Sequence, residues 1–261
     1  MALQFYFGGS GSGKSTAVYK HIIEWSKKEP ERDFIILVPD QFTMQTQKEL
    51  CLLNGGIMNI DVLSFSRLTY RIFEEVGKEN RVVLDDTGKN LIIRKVASER
   101  EADLTLLGSH LKQIGYIHEI KSVISEFMQY DIAPKGVEEL ISYGAKKGEL
   151  SLKLTDLNIL YEGFLAFLKE KYITTEESLD LLAKSLHKSK LIKNSIVVLD
   201  GFTGFTPVQN RLIKELMTQA VDVIMTITID TRENPYEKDG EHKLFYLSKK
   251  TVSVMENLAK E

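Results

Sequence analysis

The stretch Gly8-Gly9-Ser10-Gly11-Ser12-Gly13-Lys14-Ser15 fits the spacing G-x-x-x-x-G-K-[ST] of a phosphate-binding loop. It constrains the fold because such a loop works only between a strand and a helix. Its glycines permit positive φ and let backbone N–H groups close round phosphate oxygens. Lys14 is long enough to reach the β- and γ-phosphates, and the Ser15 hydroxyl can hold Mg²⁺. Ala2 to Phe7 reads as a buried strand and Ser15 to Lys28 as a helix. Phosphates would then rest on the positive N-terminal end of that helix. A glycine-rich turn that binds nothing is the plainer alternative, and the flanking strand and helix argue against it.

The next segments repeat the strand–helix alternation. Phe34 to Val38 is a continuous apolar run ended by Pro39, as in a buried parallel strand. Phe42 to Leu53 reads as a helix, Asp61 to Leu63 as a third strand, and Ser66 to Val76 as a helix. A βαβαβα order implies a parallel sheet with right-handed crossovers. Strand signals then nearly vanish from about Leu84 to Lys190. Asp85-Asp86-Thr87 can cap a helix running to Arg100. Leu111, Ile114, Ile117, Ile120, Ile124, Phe127 and Met128 recur at helical spacing, and Pro134 separates two helices. Leu154 to Tyr172 and Thr175 to His187 add two more. Strands return at Ser195 to Leu199 and Val221 to Ile229. Thr206-Pro207 opens the helix between them, and a loop at Thr231 to His242 leads to a weakly amphipathic helix, Leu244 to Lys260. The expected organisation is an α/β P-loop domain, residues 1–84 and 191–261, interrupted by an all-helical insertion, residues 85–190.

A net charge of −3 gives no global basic signal for nucleic acid, though a near-neutral total leaves room for local patches. Cys51 is the only cysteine, which excludes an internal disulfide or a cysteine metal cluster and suits a reducing compartment. No apolar run approaches transmembrane length, and the start runs directly into the first strand without a signal-peptide pattern. A cytoplasmic location is expected. His21, His110, His118, His187 and His242 fall on separate elements without metal-ligand spacing.

A phosphate-binding loop that uses Mg²⁺ needs an acidic residue at the end of a neighbouring strand. Asp200, after Ile196 to Leu199, is the candidate; the alternative is that it only starts a turn. Many ATPases place a glutamate next to polarise the attacking water, a contribution of roughly 10²–10⁴-fold. Here the next residue is Gly201, and no carboxylate follows until Glu215. Mg-ATP binding with slow or absent turnover is the expectation.

Taken together, these motifs resemble the N-terminal part of AddB, the B subunit of the bacterial AddAB (RexAB) helicase–nuclease. The resemblance rests on Phe5 to Thr16, Leu37-Val38-Pro39-Asp40-Gln41-Phe42-Thr43, Val62-Leu63-Ser64-Phe65-Ser66-Arg67-Leu68, and Leu199-Asp200-Gly201-Phe202-Thr203-Gly204-Phe205-Thr206-Pro207. It extends over essentially the whole chain. It implies a RecA-like domain 1A of a superfamily 1 helicase carrying a 1B-like insertion. It implies nucleotide binding through Gly8, Gly9, Ser10, Gly11, Ser12, Gly13, Lys14, Ser15 and Thr16, and Mg²⁺ held by Ser15 and Asp200. Ser64 and Arg67 become candidate DNA-backbone contacts; a plain surface salt bridge is the alternative for Arg67. The family acts in double-strand-break repair and in recognition of the Chi hotspot, with an A-subunit partner supplying the motor. Gly201, where active helicases carry glutamate, agrees with a degenerate helicase in the B position. Full-length relatives also hold a second motor domain and a nuclease with an iron–sulfur cluster. Nothing here supplies nuclease carboxylates, and one cysteine cannot hold that cluster. The chain is therefore expected to be a piece of a longer protein, neither helicase nor nuclease alone. Two other readings of the loop are a small-molecule kinase and a scaffold with a vestigial P-loop. The long insertion and the separation of Lys14 from Leu199 fit a kinase poorly.

Overall fold

The computed structural model describes residues 2–77, 81–108, 113–144, 148–169 and 171–260. Leu111 of the apolar stripe and His110 lie outside the described residues. In chain order the elements begin with β1 (Ala2–Gly8), α1 (Lys14–Lys28), β2 (Asp33–Leu37), α2 (Thr43–Asn54), β3 (Ile60–Leu63) and α3 (Phe65–Val76). Then come β4 (Val82–Val83), α4 (Asp86–Glu99), α5 (Ile114–Gln129), α6 (Pro134–Gly144), α7 (Gly148–Leu168), β5 (Tyr172–Ile173) and α8 (Thr175–Ser185). The chain closes with α9 (Lys190–Lys193), β6 (Ser195–Leu199), α10 (Pro207–Gln219), β7 (Asp222–Thr228) and α11 (Tyr246–Lys260). They sort into two compact units, one of Met1–Lys78 with Leu179–Glu261, the other Glu79–Ser178.

The first unit is built on a five-stranded parallel sheet of order β1-β7-β6-β2-β3. The period of two along a strand sends alternate side chains to opposite faces. Phe34, Ile36, Ile196, Val198 and Ile224 meet Val18, Tyr19 and Ile22 of α1 on one face. Ile35, Val197, Leu199, Val223 and Met225 meet Leu68, Ile72, Leu212, Leu216 and Val252 on the other. Covering both faces is what makes these strands read as unbroken apolar runs. Each fully buried aliphatic residue contributes roughly 1.5–3 kcal/mol. Helix ends are set locally. Thr206 and Gln209 close a reciprocal capping box at α10, with Pro207 in its first turn.

The second unit packs α4, α5 and α7 through Ile93, Ile124, Leu160, Phe164 and Leu168. Gly163 permits the close approach of α4, since a Cβ there would lie 2.5 Å from Val96 Cγ1. The buried Asp156 carboxylate accepts backbone N–H groups from Thr105, Leu106 and Leu107 and pins that turn.

Two sequence expectations are corrected. The insertion is not all-helical, because β4 and β5 pair in parallel, Val82 with Tyr172 and Val83 with Ile173. Two-residue strands are too short for a periodic signal. The insertion also ends earlier than residue 190. Leu182, Leu186 and Ile192 are buried in the core of the sheet-bearing unit, so α8 beyond Ser178 and all of α9 belong there.

The glycine-rich loop and the Asp200 carboxylate

At the carboxyl end of β1, Gly8 gives way to a turn in which Ser12 N–H donates to the Gly9 carbonyl at 3.2 Å. A side chain at position 8 would put its Cβ 2.5 Å from Ser12 Oγ, so the Ser12 hydroxyl can stand where it does because residue 8 is glycine. Gly13, immediately before α1, has φ 84° and ψ 11°, a left-handed conformation that costs any residue with a Cβ. Lys14 Nζ lies over the turn and donates to the Gly9 carbonyl at 3.3 Å. Gly13 at the N-cap offers α1 no side-chain cap, and the first turn of the helix carries no acidic residue. Its leading N–H groups and positive dipole end are thus presented beside the loop, the arrangement that holds an anion.

The strand register brings the second half of the site to the same place. Leu199 of β6 pairs with Met225 of β7, so Asp200 follows beside Thr226. By alternation both side chains turn to the α1 face, the face of Val198 and Ile224. Asp200 N–H donates to the Leu37 carbonyl at 2.9 Å, extending the ladder by one residue. Asp200 is 4% exposed, and among the described residues its side chain makes three hydrogen bonds, all to hydroxyls. Ser15 Oγ donates to Oδ1 at 2.9 Å, Thr226 Oγ1 to Oδ1 at 2.5 Å, and Tyr19 Oη to Oδ2 at 2.5 Å. A carboxylate that takes three donors behaves as a pure acceptor. No lysine or arginine pairs with it among the described residues. A buried anion without a counter-charge favours a cation. The hydroxyl of Ser15 and the carboxylate of Asp200 are both oxygen donors, the type Mg²⁺ takes.

Tyr19 and Thr226 escaped the reading of the sequence. Tyr19 follows Ser15 by four residues and so shares its helix face, a spacing visible in the sequence once Asp200 is suspected. Burial and then the nearby Asp200 charge push the Tyr19 phenol above its ordinary value. The Thr16 hydroxyl donates to Glu49 of α2 at 3.1 Å.

Ser64 and Arg67 sit together at the start of α3 with different exposures. Ser64 is 1% exposed, and its Oγ accepts the Arg67 backbone N–H at 3.3 Å as the helix cap. Ser64, expected at a DNA backbone, serves in this structure as the α3 cap. The Arg67 side chain stands at the surface.

The family described as "ADDB, N-terminal" matches residues 5–261. A protein of Lachnoclostridium phytofermentans, named as the B subunit of an ATP-dependent helicase/deoxyribonuclease, is 47% identical over 261 residues, 99% of this chain and 23% of that protein. Proteins of the same name from Alkaliphilus oremlandii and Bacillus anthracis are each 33% identical, covering 99% and 100% of this chain and 22% and 23% of their own lengths. The chain thus spans less than a quarter of these curated relatives. With the match running from the strand before the glycine-rich loop through the last helix, this chain belongs to the AddB N-terminal family.

Proposed function

We propose that this chain is the ATP-binding, helicase-like module of the B subunit in a DNA double-strand-break repair helicase–nuclease. In this reading it is a RecA-like P-loop domain with a 1B-like insertion. It binds Mg-ATP with little or no hydrolysis and contributes to DNA binding and Chi recognition. Its partner is an AddA-type helicase–nuclease, and it works in the cytoplasm. The observation that carries the reading is the 2.9 Å contact of Ser15 with Asp200 beside an uncapped helix N-terminus. Gly8 to Thr16 would cradle the phosphates, Lys14 would swing from the Gly9 carbonyl to the β- and γ-phosphates, and Ser15 with Asp200 would hold the metal. Bound Mg²⁺ would neutralise phosphate charge. Gly201 supplies no side chain to polarise water, which supports weak turnover. Arg67 on the α3 surface supports a role in DNA contact.

The test is equilibrium binding of a fluorescent ATP analogue with Mg²⁺, comparing the protein with its Lys14→Ala variant and following hydrolysis in the same tubes. Saturable binding lost in the variant, without turnover, is the expected result. Negligible binding in both would sink the nucleotide-binding reading, and turnover at an ordinary enzymatic rate that Lys14→Ala abolishes would sink the claim of weak hydrolysis.

A further inference from the structure

We infer that Tyr19 is a positioning residue for the metal side of the nucleotide site, acting through Asp200. This inference rests on the reading of Asp200 as a metal-side carboxylate given above. The chemistry runs through one shared group. Tyr19 Oη has a single proton, and it is committed to Asp200 Oδ2 at 2.5 Å. The hydroxyl of Thr46 on α2, 3.5 Å from Tyr19 Oη, must then be the donor in that contact. The other carboxylate oxygen takes Ser15 and Thr226. Asp200 is therefore gripped at both oxygens, from α1 on one side and β7 on the other, and cannot turn about its Cβ–Cγ bond without breaking a hydrogen bond.

The type of donor matters as much as the grip. A lysine or arginine in the place of Tyr19 would orient Asp200 equally well but would neutralise it, and the attraction for a divalent cation would fall. Three neutral hydroxyls fix the carboxylate and leave its charge in place. Groups that orient a ligand in this way typically change metal affinity by about 10–100-fold when removed.

The test compares the protein with its Tyr19→Phe variant, which keeps the ring in the core and removes only the hydroxyl. A fluorescent ATP analogue is titrated in Mg²⁺ and separately in EDTA, and bound Mn²⁺ is counted by electron paramagnetic resonance. Thermal melts of both proteins exclude unfolding. The expected result is about tenfold or greater weakening of binding in Mg²⁺, a matching loss of Mn²⁺ affinity, and unchanged binding in EDTA. Equal binding of the variant and the parent in Mg²⁺ would overturn the inference, as would an equal loss in both buffers, which is what a merely structural tyrosine would give. Parent protein that binds the analogue equally with and without metal would overturn it while leaving nucleotide binding intact. Parent protein that binds in neither buffer would overturn this inference together with the function proposed above.

Discussion

Ser15 Oγ donates to Asp200 Oδ1 at 2.9 Å, although the two residues are 185 positions apart in the chain. The contact joins the first turn of α1 to the end of β6, and the whole insertion lies between them in sequence. Asp200→Asn tests what the negative charge at this junction does. The remaining oxygen can keep Ser15 and Thr226, while the new NH₂ group can only donate to Tyr19 Oη, so that hydrogen bond must reverse and the Tyr19 proton must turn to Thr46. The expected destabilisation is at most about 1 kcal/mol, the net worth of a single hydrogen bond. Binding of a nucleotide analogue should lose its dependence on Mg²⁺ almost entirely. Urea unfolding checks the first figure and titration with and without EDTA the second. A variant that unfolds outright, or one that keeps full Mg²⁺ dependence, would refute this account of Asp200.

Gly201 is more than the absence of a glutamate. Its φ is 78°, a left-handed conformation, and its N–H points to Thr226 Oγ1 at 3.5 Å. Gly201→Glu should therefore not restore hydrolysis. It should cost roughly 1–3 kcal/mol of stability as a strained non-glycine residue, and Gly201→Ala should cost the same because the strain resides in the backbone. An ATPase assay alongside denaturant titration of both variants measures each part. Robust turnover by Gly201→Glu would show that the missing carboxylate alone limits the site.

Much of this was legible because it depends on residue type at fixed spacing. The loop from Gly8 to Ser15, the apolar runs Phe34 to Val38 and Ser195 to Leu199, and the acidic residue ending the second run all imply a parallel sheet with a site at its carboxyl end. Asp85 was readable as a helix cap, and its side chain does accept the Gly88 N–H. What stayed hidden depends on register and long-range pairing. Thr226 matters only because β7 lies beside β6 with Met225 opposite Leu199. Tyr19 gains its role only from Asp200, which the fold places against it. Ser64 has the residue type of a backbone contact, and only burial distinguishes a cap from a binding group.

In the helical unit Lys89 and Glu176 form a buried ion pair, with side chains 5% and 9% exposed and Nζ 3.0 Å from Oε2. Ser125 and Gln129 complete the shell, Ser125 by accepting from Lys89 and Gln129 by donating to Glu176. Removing one partner strands the other charge, so Glu176→Gln should destabilise by about 3–5 kcal/mol. Replacing both, as Lys89→Met with Glu176→Leu, should cost far less, because no charge is then left without a partner. A double-mutant cycle by chemical denaturation gives the coupling. Additive losses would show that the pair does not act as a unit.

Glu75 provides a pH-dependent contribution at the start of α9. Its Oε1 accepts the Lys190 N–H at 2.6 Å and the Leu191 N–H at 3.3 Å, and its Oε2 accepts from Ser189 Oγ at 2.5 Å. Burial alone would raise its proton affinity, but Ser189 and the two backbone donors together outweigh burial and hold the carboxyl below the usual range. A carboxyl depressed in the folded state binds fewer protons there than in the unfolded chain. Its stabilising contribution is therefore complete above the ordinary glutamate value of about 4.3 and is lost as the pH falls through the lower folded value. Glu75→Gln should unfold at lower urea concentration than the parent near pH 6, and the gap between the two midpoints should be narrower at pH 3. The Ser189 cap survives in the variant, since Ser189 Oγ still accepts the Ile192 N–H. A gap that is the same at both pH values would mean that Glu75 acts through packing or neutral hydrogen bonding, and that its charge at the α9 N-terminus contributes nothing.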